Sequence, residues 1–447
     1  MFPVQEGASC GRNCTHRETR RSAGAARNLP RAPASRVRVG ENGFQEALLN
    51  GRERIRRTML HQAPDRVPVM CQLSAGHLNL NGGYKPHEIW FEAEAFADAS
   101  VKLARRYGFD GILVALAGRP QNYLENITSL REDEDGQWAT WRNGDRIFLP
   151  WDDMPHHHPA DPAKPTRADF ATFDPGADMD AIDGFSGYTW NVLYHLHETP
   201  DKDYPGPLER GRVPEFSFRT FDIVKARAGE DLSIHGSIYS PVTHFFELFG
   251  YEQALTGLVS DPGKAHAVLD RLTEGTIAWA LGLLDHGADG LDHSSAFVGA
   301  PFLSRRMYQE FVIPYERRVS EAVKARGGVI YTHTCGRIAD RLDLMEQTGT
   351  LGIDTLDPPP LGNCDLARAK RDFGDRLFFK GNMNSVALLQ YKTAEEVRAE
   401  ALRPLLIGKP GAGYILSTAC SVAPHVEPWK LEMLTPLAEE FGRYDAC

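Results

Sequence analysis

The 447-residue chain predicts an α/β fold: a (β/α)8 TIM barrel with a long lid-like insertion after the second strand. Three observations predict it. Short apolar segments recur from about residue 45 to the end of the chain, and eight of them read as strands. Helical periodicity fills the intervals between them, with apolar residues returning every three or four positions. Parallel strands need crossover helices to bring the chain back, so strand–helix alternation implies a parallel sheet. A doubly wound open sheet is the alternative, and eight units of fairly even spacing favour closure.

In chain order the candidate strands are Val67–Leu73, Asp110–Leu116, Leu232–Ile238 and Asp289–Ser294, then Gly328–His333, Ile353–Asp357, Arg376–Gly381 and Gly413–Thr418. Pro262–Leu283 and Ser304–Arg326 are the clearest amphipathic helices. One interval breaks the rhythm. The stretch from Ala117 to Asp231 is too long for a strand-to-helix loop, and residues 117–230 are assigned to an insertion. Within it, Gln137–Trp141 and Arg146–Leu149 flank Asn143-Gly144, whose residues tolerate the positive φ that a tight hairpin turn needs. The triplet His156, His157, His158 is expected in a solvated loop. Because the insertion follows the carboxyl end of a strand, it is expected to cap the mouth where barrel active sites form.

The barrel is assigned to residues 43–447 and an extension to residues 1–42. That extension carries Arg12, Arg17, Arg20, Arg21, Arg27, Arg31, Arg36 and Arg38 among Ala, Ser, Pro and Gly. It has too few large apolar residues to offset the entropy of ordering, so disorder is expected there. Cys10 and Cys14 within it are weak evidence for a metal.

Composition narrows the function classes. The chain is 42% hydrophobic and 25% charged, enough to bury a large core. Its net charge of −10 argues against nucleic-acid binding, which draws on clustered Lys and Arg. No apolar run approaches the roughly 18–20 residues that span a bilayer, so no membrane segment is expected. Seven cysteines, scattered and odd in number, do not form a disulfide framework, and a reducing cytoplasm is the expected setting.

The chemistry concentrates in Thr332-His333-Thr334-Cys335-Gly336 and Ser417-Thr418-Ala419-Cys420. Residues two apart in extended chain point to the same side, so His333 and Cys335 can converge on one ion. Gly336 lets the backbone turn beneath them. Cys420 ends the eighth strand on the same barrel face. Two thiolates and an imidazole suit zinc, and three protein ligands leave a fourth position open.

Other strand-end residues are weaker candidates. Asp292 and His293 end the fourth strand and are assigned catalytic roles, with Asp292 a fourth ligand or a partner that orients His333. His77, His235, Tyr239 and Asn382 are assigned to ligand binding at the mouth, and Gln72 is a mouth residue by position only. Arg119 and Lys380 are the sparse basic residues near the mouth.

The run His333-Thr334-Cys335-Gly336, with Asp365-Leu366, Gly381-Asn382 and Cys420 before Pro424, resembles the uroporphyrinogen decarboxylase superfamily. The resemblance covers roughly residues 50–442, including Ser240-Pro241, Gly250-Tyr251-Glu252 and Ala288-Asp289-Gly290. Within that superfamily the chain is more similar to the zinc methyltransferases that take a methyl group from a methylcorrinoid protein to a thiol such as coenzyme M. The resemblance implies zinc held by His333, Cys335 and Cys420, and a zinc-activated thiol or related acceptor attacking a cobalt-bound methyl group.

Two departures separate the chain from the true decarboxylases. Their Arg-Gln-Ala-Gly-Arg run after the first strand is replaced by Cys71-Gln72-Leu73-Ser74-Ala75-Gly76-His77, without arginine. Their Gly-His-Gly segment near the eighth strand is replaced by Ala419-Cys420-Ser421. The expected activity is a zinc-dependent methyltransferase using a methylcorrinoid (cobalamin). No Asp-x-His-x-x-Gly run is present, so the corrinoid is expected on a partner protein, with a small-molecule thiol as the other substrate and a homodimer left open. A decarboxylase of a carboxylated, tetrapyrrole-like substrate and a non-catalytic corrinoid-binding barrel are the alternatives.

Overall fold

The structure is a computed structural model that describes residues 49–119, 123–163, 167–181 and 213–444. The extension assigned to residues 1–42 lies outside the described residues, as does the 182–212 part of the insertion. The strands in chain order are β1 (Gly111–Val114), β2 (Ile127–Glu132), β3 (Gly136–Trp141), β4 (Arg146–Pro150) and β5 (His156–His158). They continue with β6 (Ser233–Tyr239), β7 (Gly290–Ser294), β8 (Ile330–Thr334), β9 (Gly352–Thr355), β10 (Phe378–Met383) and β11 (Tyr414–Thr418). Seven of them form one parallel sheet in the order β1-β6-β7-β8-β9-β10-β11, with helices between successive strands, and the architecture is a TIM-barrel α/β fold.

The predicted first strand, Val67–Leu73, takes the eighth position without forming a regular ladder. It makes isolated parallel bridges, Val69 with Leu416 and Leu73 with Val422. Met70 N–H donates to Leu416 O at 3.0 Å, and Asp110 N–H donates to Val69 O at 2.8 Å, so the segment joins both edges of the seven-stranded sheet. Pro68 has no N–H to give, which interrupts the ladder. A buried charge cluster holds the segment instead. Asp110 Oδ2 accepts from Val69 N–H at 2.7 Å and Arg66 Nη1 at 2.8 Å, while Oδ1 accepts from Arg54 Nη1 at 2.6 Å.

The amino end of the barrel is filled by apolar side chains. Met70, Leu113, Tyr331, Phe378 and Ile415 pack there against Ile55 and Met59 of the helix Gly51–Met59. Burial of this kind stabilises by about 1.5–3 kcal/mol for each large apolar side chain. The polar residues of the barrel lie above this plug, toward the carboxyl ends of the strands.

Some element boundaries differ from expectation. The helix expected over Ser304–Arg326 is two helices, Arg305–Phe311 and Ile313–Ala325, separated at Val312. Pro314 explains the break, since its ring cannot donate to the preceding turn and clashes with it. The strand expected to reach Asp357 ends at Thr355, where Thr355 (φ 82°) and Leu356 (φ 54°) turn into the left-handed region. Such backbone is unusual for a β-branched residue and costs about 1–3 kcal/mol per residue.

Residues of the insertion form a four-stranded antiparallel sheet, β2-β3-β4-β5. β3 and β4 pair across Asn143-Gly144, with Gly144 at φ 91°. The histidine triplet is not a loop: it forms β5, paired with β4, with His156 and His158 exposed and the His157 side chain enclosed, its Nε2 3.0 Å from Asp145 Oδ2. Trp141 anchors this sheet to the barrel helices through Phe91, with ring centroids 5.3 Å apart. Asp152, beyond β4, meets His425 in the loop that follows β11, at 2.6 Å.

Candidate metal centre

β8 and β11 are not neighbours in the sheet, so side chains that meet from their ends meet inside the barrel mouth. His333 is the penultimate residue of β8, and Cys335 follows the strand by one residue. Gly336, at φ 82°, turns the chain immediately afterwards, a conformation that a residue with a Cβ rarely adopts. Cys420 lies two residues past β11, where Ala419 N–H donates to Met383 O at 2.7 Å and fixes the turn.

The three donor atoms converge. Cys335 Sγ is 3.4 Å from His333 Nε2 and 3.5 Å from Cys420 Sγ, and all three lie within 4.8 Å of one another. Tetrahedral zinc, with bonds of about 2.1 Å to nitrogen and 2.3 Å to sulfur, separates its donors by roughly 3.5–3.8 Å. The donor set therefore fits such an ion in both chemistry and spacing. A hydrogen bond from Cys335, helped by His333, holds Cys420 well below the ordinary thiol range despite burial, while the same bond and burial push Cys335 up.

Behind His333 stands Asp354 of β9. Its Oδ2 is 3.1 Å from His333 Nδ1 and accepts from Lys380 Nζ at 2.7 Å. The register places His333 opposite Asp354, and Asp354 opposite Lys380, across three adjacent strands. An Nδ1–H bonded to the carboxylate leaves Nε2 as the free donor toward the cysteines. Burial works against the charge on Asp354, but Lys380 and His333 more than offset it and hold the carboxyl at about 2. Asp354, not Asp292, is thus the residue that orients His333.

Asp292 nonetheless lies close to this group, its carboxylate within 4.8 Å of His333 and Asp354 donor atoms. Its Oδ1 is buried without a hydrogen-bond partner, and burial pushes its carboxyl up to about 6 against the pull of His333. Asp357 lies on the other side of the cysteine loop. Its Oδ2 accepts Gly336 N–H at 2.6 Å, and its Oδ1 has no partner.

Other predicted site residues are placed elsewhere. His235 is inside the barrel but too deep: Nε2 is 2.9 Å from Ser233 Oγ and Nδ1 2.9 Å from Tyr331 OH, beside the apolar plug. With both nitrogens engaged and burial lowering it to about 3, it is a core histidine. His293 follows Asp292, which faces the interior, so its ring points to the opposite side of β7, toward the helix layer and His244. It is buried, lowered to about 3 by burial, and does not face the mouth. His77 is a structural tie between segments, with Nε2 2.8 Å from Tyr107 OH and Nδ1 3.3 Å from Pro424 O. Burial lowers it to about 4.

Tyr239 lines a cavity at the mouth. Asn382 donates from Nδ2 to Leu356 O at 3.0 Å, and its Oδ1 is buried without a partner. Lys380 is committed to Asp354 and is not available to a substrate carboxylate. Arg119 is stacked over the Tyr123 ring, 5.6 Å from its centroid.

Sequence reasoning missed Asp354 and Asp357 as parts of the site. The available signal was the pair of carboxylates that punctuate the apolar strand-end run Ile353-Asp354-Thr355-Leu356-Asp357. No helix among the described residues is long and apolar enough to cross a membrane.

Comparison with known proteins places this geometry in context. The family model described as uroporphyrinogen decarboxylase (URO-D) matches residues 198–441. Over 52% of the chain, the sequence is 24% identical to the methylcobamide:CoM methyltransferase MtaA of Methanosarcina barkeri, covering 66% of that protein. Over 43% of the chain, it is 27% identical to the uroporphyrinogen decarboxylase of Chlorobium limicola, covering 54% of that protein. The matches thus span between half and just under two thirds of these relatives. Among solved structures, a methyltransferase from Methanosarcina mazei superposes with a TM-score of 0.62 over 88% of this chain and 99% of its own, at 16% identity, which is a likeness of fold.

Proposed function

The chain belongs to the uroporphyrinogen decarboxylase (URO-D) family, and within it we propose that it is a zinc-dependent methyltransferase. It moves a methyl group between a methylcorrinoid, carried by a partner protein, and a thiol or related acceptor. The observation that carries this reading is the convergence of His333 Nε2, Cys335 Sγ and Cys420 Sγ at the barrel mouth. A relative whose name is methylcobamide:CoM methyltransferase adds support.

His333, Cys335 and Cys420 would hold the zinc ion. When bound there, zinc supplies Lewis acidity that favours the thiolate form of an acceptor thiol at neutral pH. The surrounding residues supply order. Asp354 fixes the His333 ring by its Nδ1, and Lys380 neutralises the buried Asp354 carboxylate. Asp357 ties down the Cys335–Gly336 turn through the Gly336 N–H. Asp292 Oδ1, buried and unpartnered beside His333, is the oxygen assigned to accept the proton that an incoming thiol gives up. Tyr239 and Asn382 are assigned to contact the substrate or corrinoid.

Decarboxylation of a polyanionic tetrapyrrole is disfavoured by the same geometry. It requires cationic side chains free to meet several carboxylates. Lys380, the cation nearest the site, is spent on Asp354, which leaves Arg119, over the Tyr123 ring with Nε and Nη2 unpartnered, as a single cation where several carboxylates would need partners. The discriminating experiment is methylcobalamin demethylation by the zinc-loaded chain across a panel of thiols. Demethylation with at least one thiol is expected. Decarboxylation of a porphyrinogen without methyl transfer would contradict the proposal.

A further inference from the structure

A cavity of about 140 Å³ lies between the Val67–Leu73 segment and β1 and reaches Ser421, the residue after Cys420. Its walls come from the Val67–Leu73 segment, from β1, and from the helices Ala75–Gly82 and Ala93–Tyr107 that cover them. The irregular ladder of the eighth position leaves this space, because Val67–Leu73 bonds toward β1 through Val69 O and diverges beyond it. Two lining residues connect the cavity to the cluster. Ser421 is the next residue after Cys420. Tyr239 is paired in register with Ser294, which is paired with His333, so Tyr239 faces the same side of the sheet as the histidine ligand, near the carboxyl end of its strand.

The lining is mainly apolar, with Ser74, Ser100, Tyr239 and Ser421 as neutral polar members. Leu78, Trp90, Phe96, Phe109, Leu113 and Met154 make most of it apolar, and none of the described residues that line it carries a charge. A dry cavity of about 150 Å³ with such walls accepts one benzene ring. The size therefore matches a single aryl group or an aliphatic group of equal bulk. A sulfonate or carboxylate placed here would lose its hydration without a cation to replace it. One polar feature stands out. Gln72 lines the cavity, and its Oε1 is buried without a hydrogen-bond partner. A buried acceptor without a partner is destabilising unless a donor arrives with the ligand.

We propose that this cavity binds an uncharged small molecule with a benzene-sized apolar body and one hydroxyl or thiol donor directed at Gln72 Oε1. Its role as the substrate pocket rests on the methyltransferase reading; its ligand class rests on the lining alone. An anionic thiol such as a mercaptosulfonate does not match these walls, so the substrate at this centre is of the phenol or neutral thiol class.

The test is calorimetric titration of the zinc-loaded chain with phenol, toluene and 4-hydroxybenzenesulfonate. Saturable binding of phenol is expected, with toluene and the sulfonate each weaker by about tenfold or more. In Gln72→Leu, phenol should weaken by about tenfold while toluene keeps or gains affinity, which shows that the cavity is still formed. Equal binding of the sulfonate, no phenol binding at millimolar concentration, or phenol affinity unchanged in Gln72→Leu overturns the assignment. Zinc content and methylcobalamin demethylation are read on the same preparation. Methyl transfer without phenol binding rejects this inference alone, and phenol binding without zinc or methyl transfer rejects the methyltransferase reading alone.

Discussion

Asp354 Oδ2 lies 3.1 Å from His333 Nδ1, on the far side of the imidazole from the two cysteines. A carboxylate in that position sets the tautomer and aim of the ligand nitrogen, and loss of such a partner typically weakens a metal site about 10–100-fold. Asp354→Asn is expected to lower zinc affinity by that factor in a chelator competition. Affinity equal to that of the wild type would show that the contact has no part in the site.

Lys380 is expected to matter through Asp354 and not through any substrate. Its Nζ is buried and paired at 2.7 Å, so Lys380→Met strands a buried carboxylate. Breaking a buried pair by removing one partner costs about 3–5 kcal/mol. Urea unfolding of the metal-free protein measures this, and a loss below about 1 kcal/mol would mean that Asp354 is solvated or otherwise paired.

Cys420→Ser is expected to abolish stoichiometric zinc binding while leaving the fold intact. The hydroxyl is a poor zinc ligand, and the residue lies beyond the end of β11, not within the sheet. Metal analysis with far-ultraviolet circular dichroism reads both parts. Retention of one zinc per chain in this variant would remove Cys420 from the donor set.

The carboxyl of Glu316 predicts a pH dependence of stability independent of the metal centre. It is buried, and Ser295 Oγ donates to its Oε1 at 2.5 Å. Burial raises it from 4.5 to about 7, against the lowering effect of hydrogen bonds from Ser295 and Ser240. The folded state therefore holds a proton that the unfolded state has released between these two values. Its stabilising contribution is complete below about pH 4.5 and is lost as pH rises through about 7, a swing of about 3 kcal/mol. Glu316→Gln should flatten that part of the stability profile, and an unchanged slope would contradict the account.

The parts of the fold legible in the sequence were those set by local pattern. Strand-end positions for His333, Cys335 and Cys420 follow from apolar runs, their alternation and the glycine that ends them. Depth and facing were less legible. His235 and His333 both point into the barrel, but only contact with Tyr331 reveals that His235 sits at the plug and not the mouth. Asp292 and His293 are adjacent at the end of β7, and adjacent strand residues face opposite ways, so only one of the two can serve the mouth. The partnership of Asp354 with His333 depends on the register of β8 against β9, which no local pattern fixes. The apolar pattern of Val67–Leu73 marks its position but not the break in its ladder at Pro68, and β5 is a strand by virtue of its partner β4, not its own composition.

The most direct test of the central claim is the rate of methylcobalamin demethylation with an acceptor thiol, measured before zinc removal, after it, and after zinc is restored. The account predicts activity in the first and third states and its loss in the second. Full activity in the zinc-free chain would contradict it.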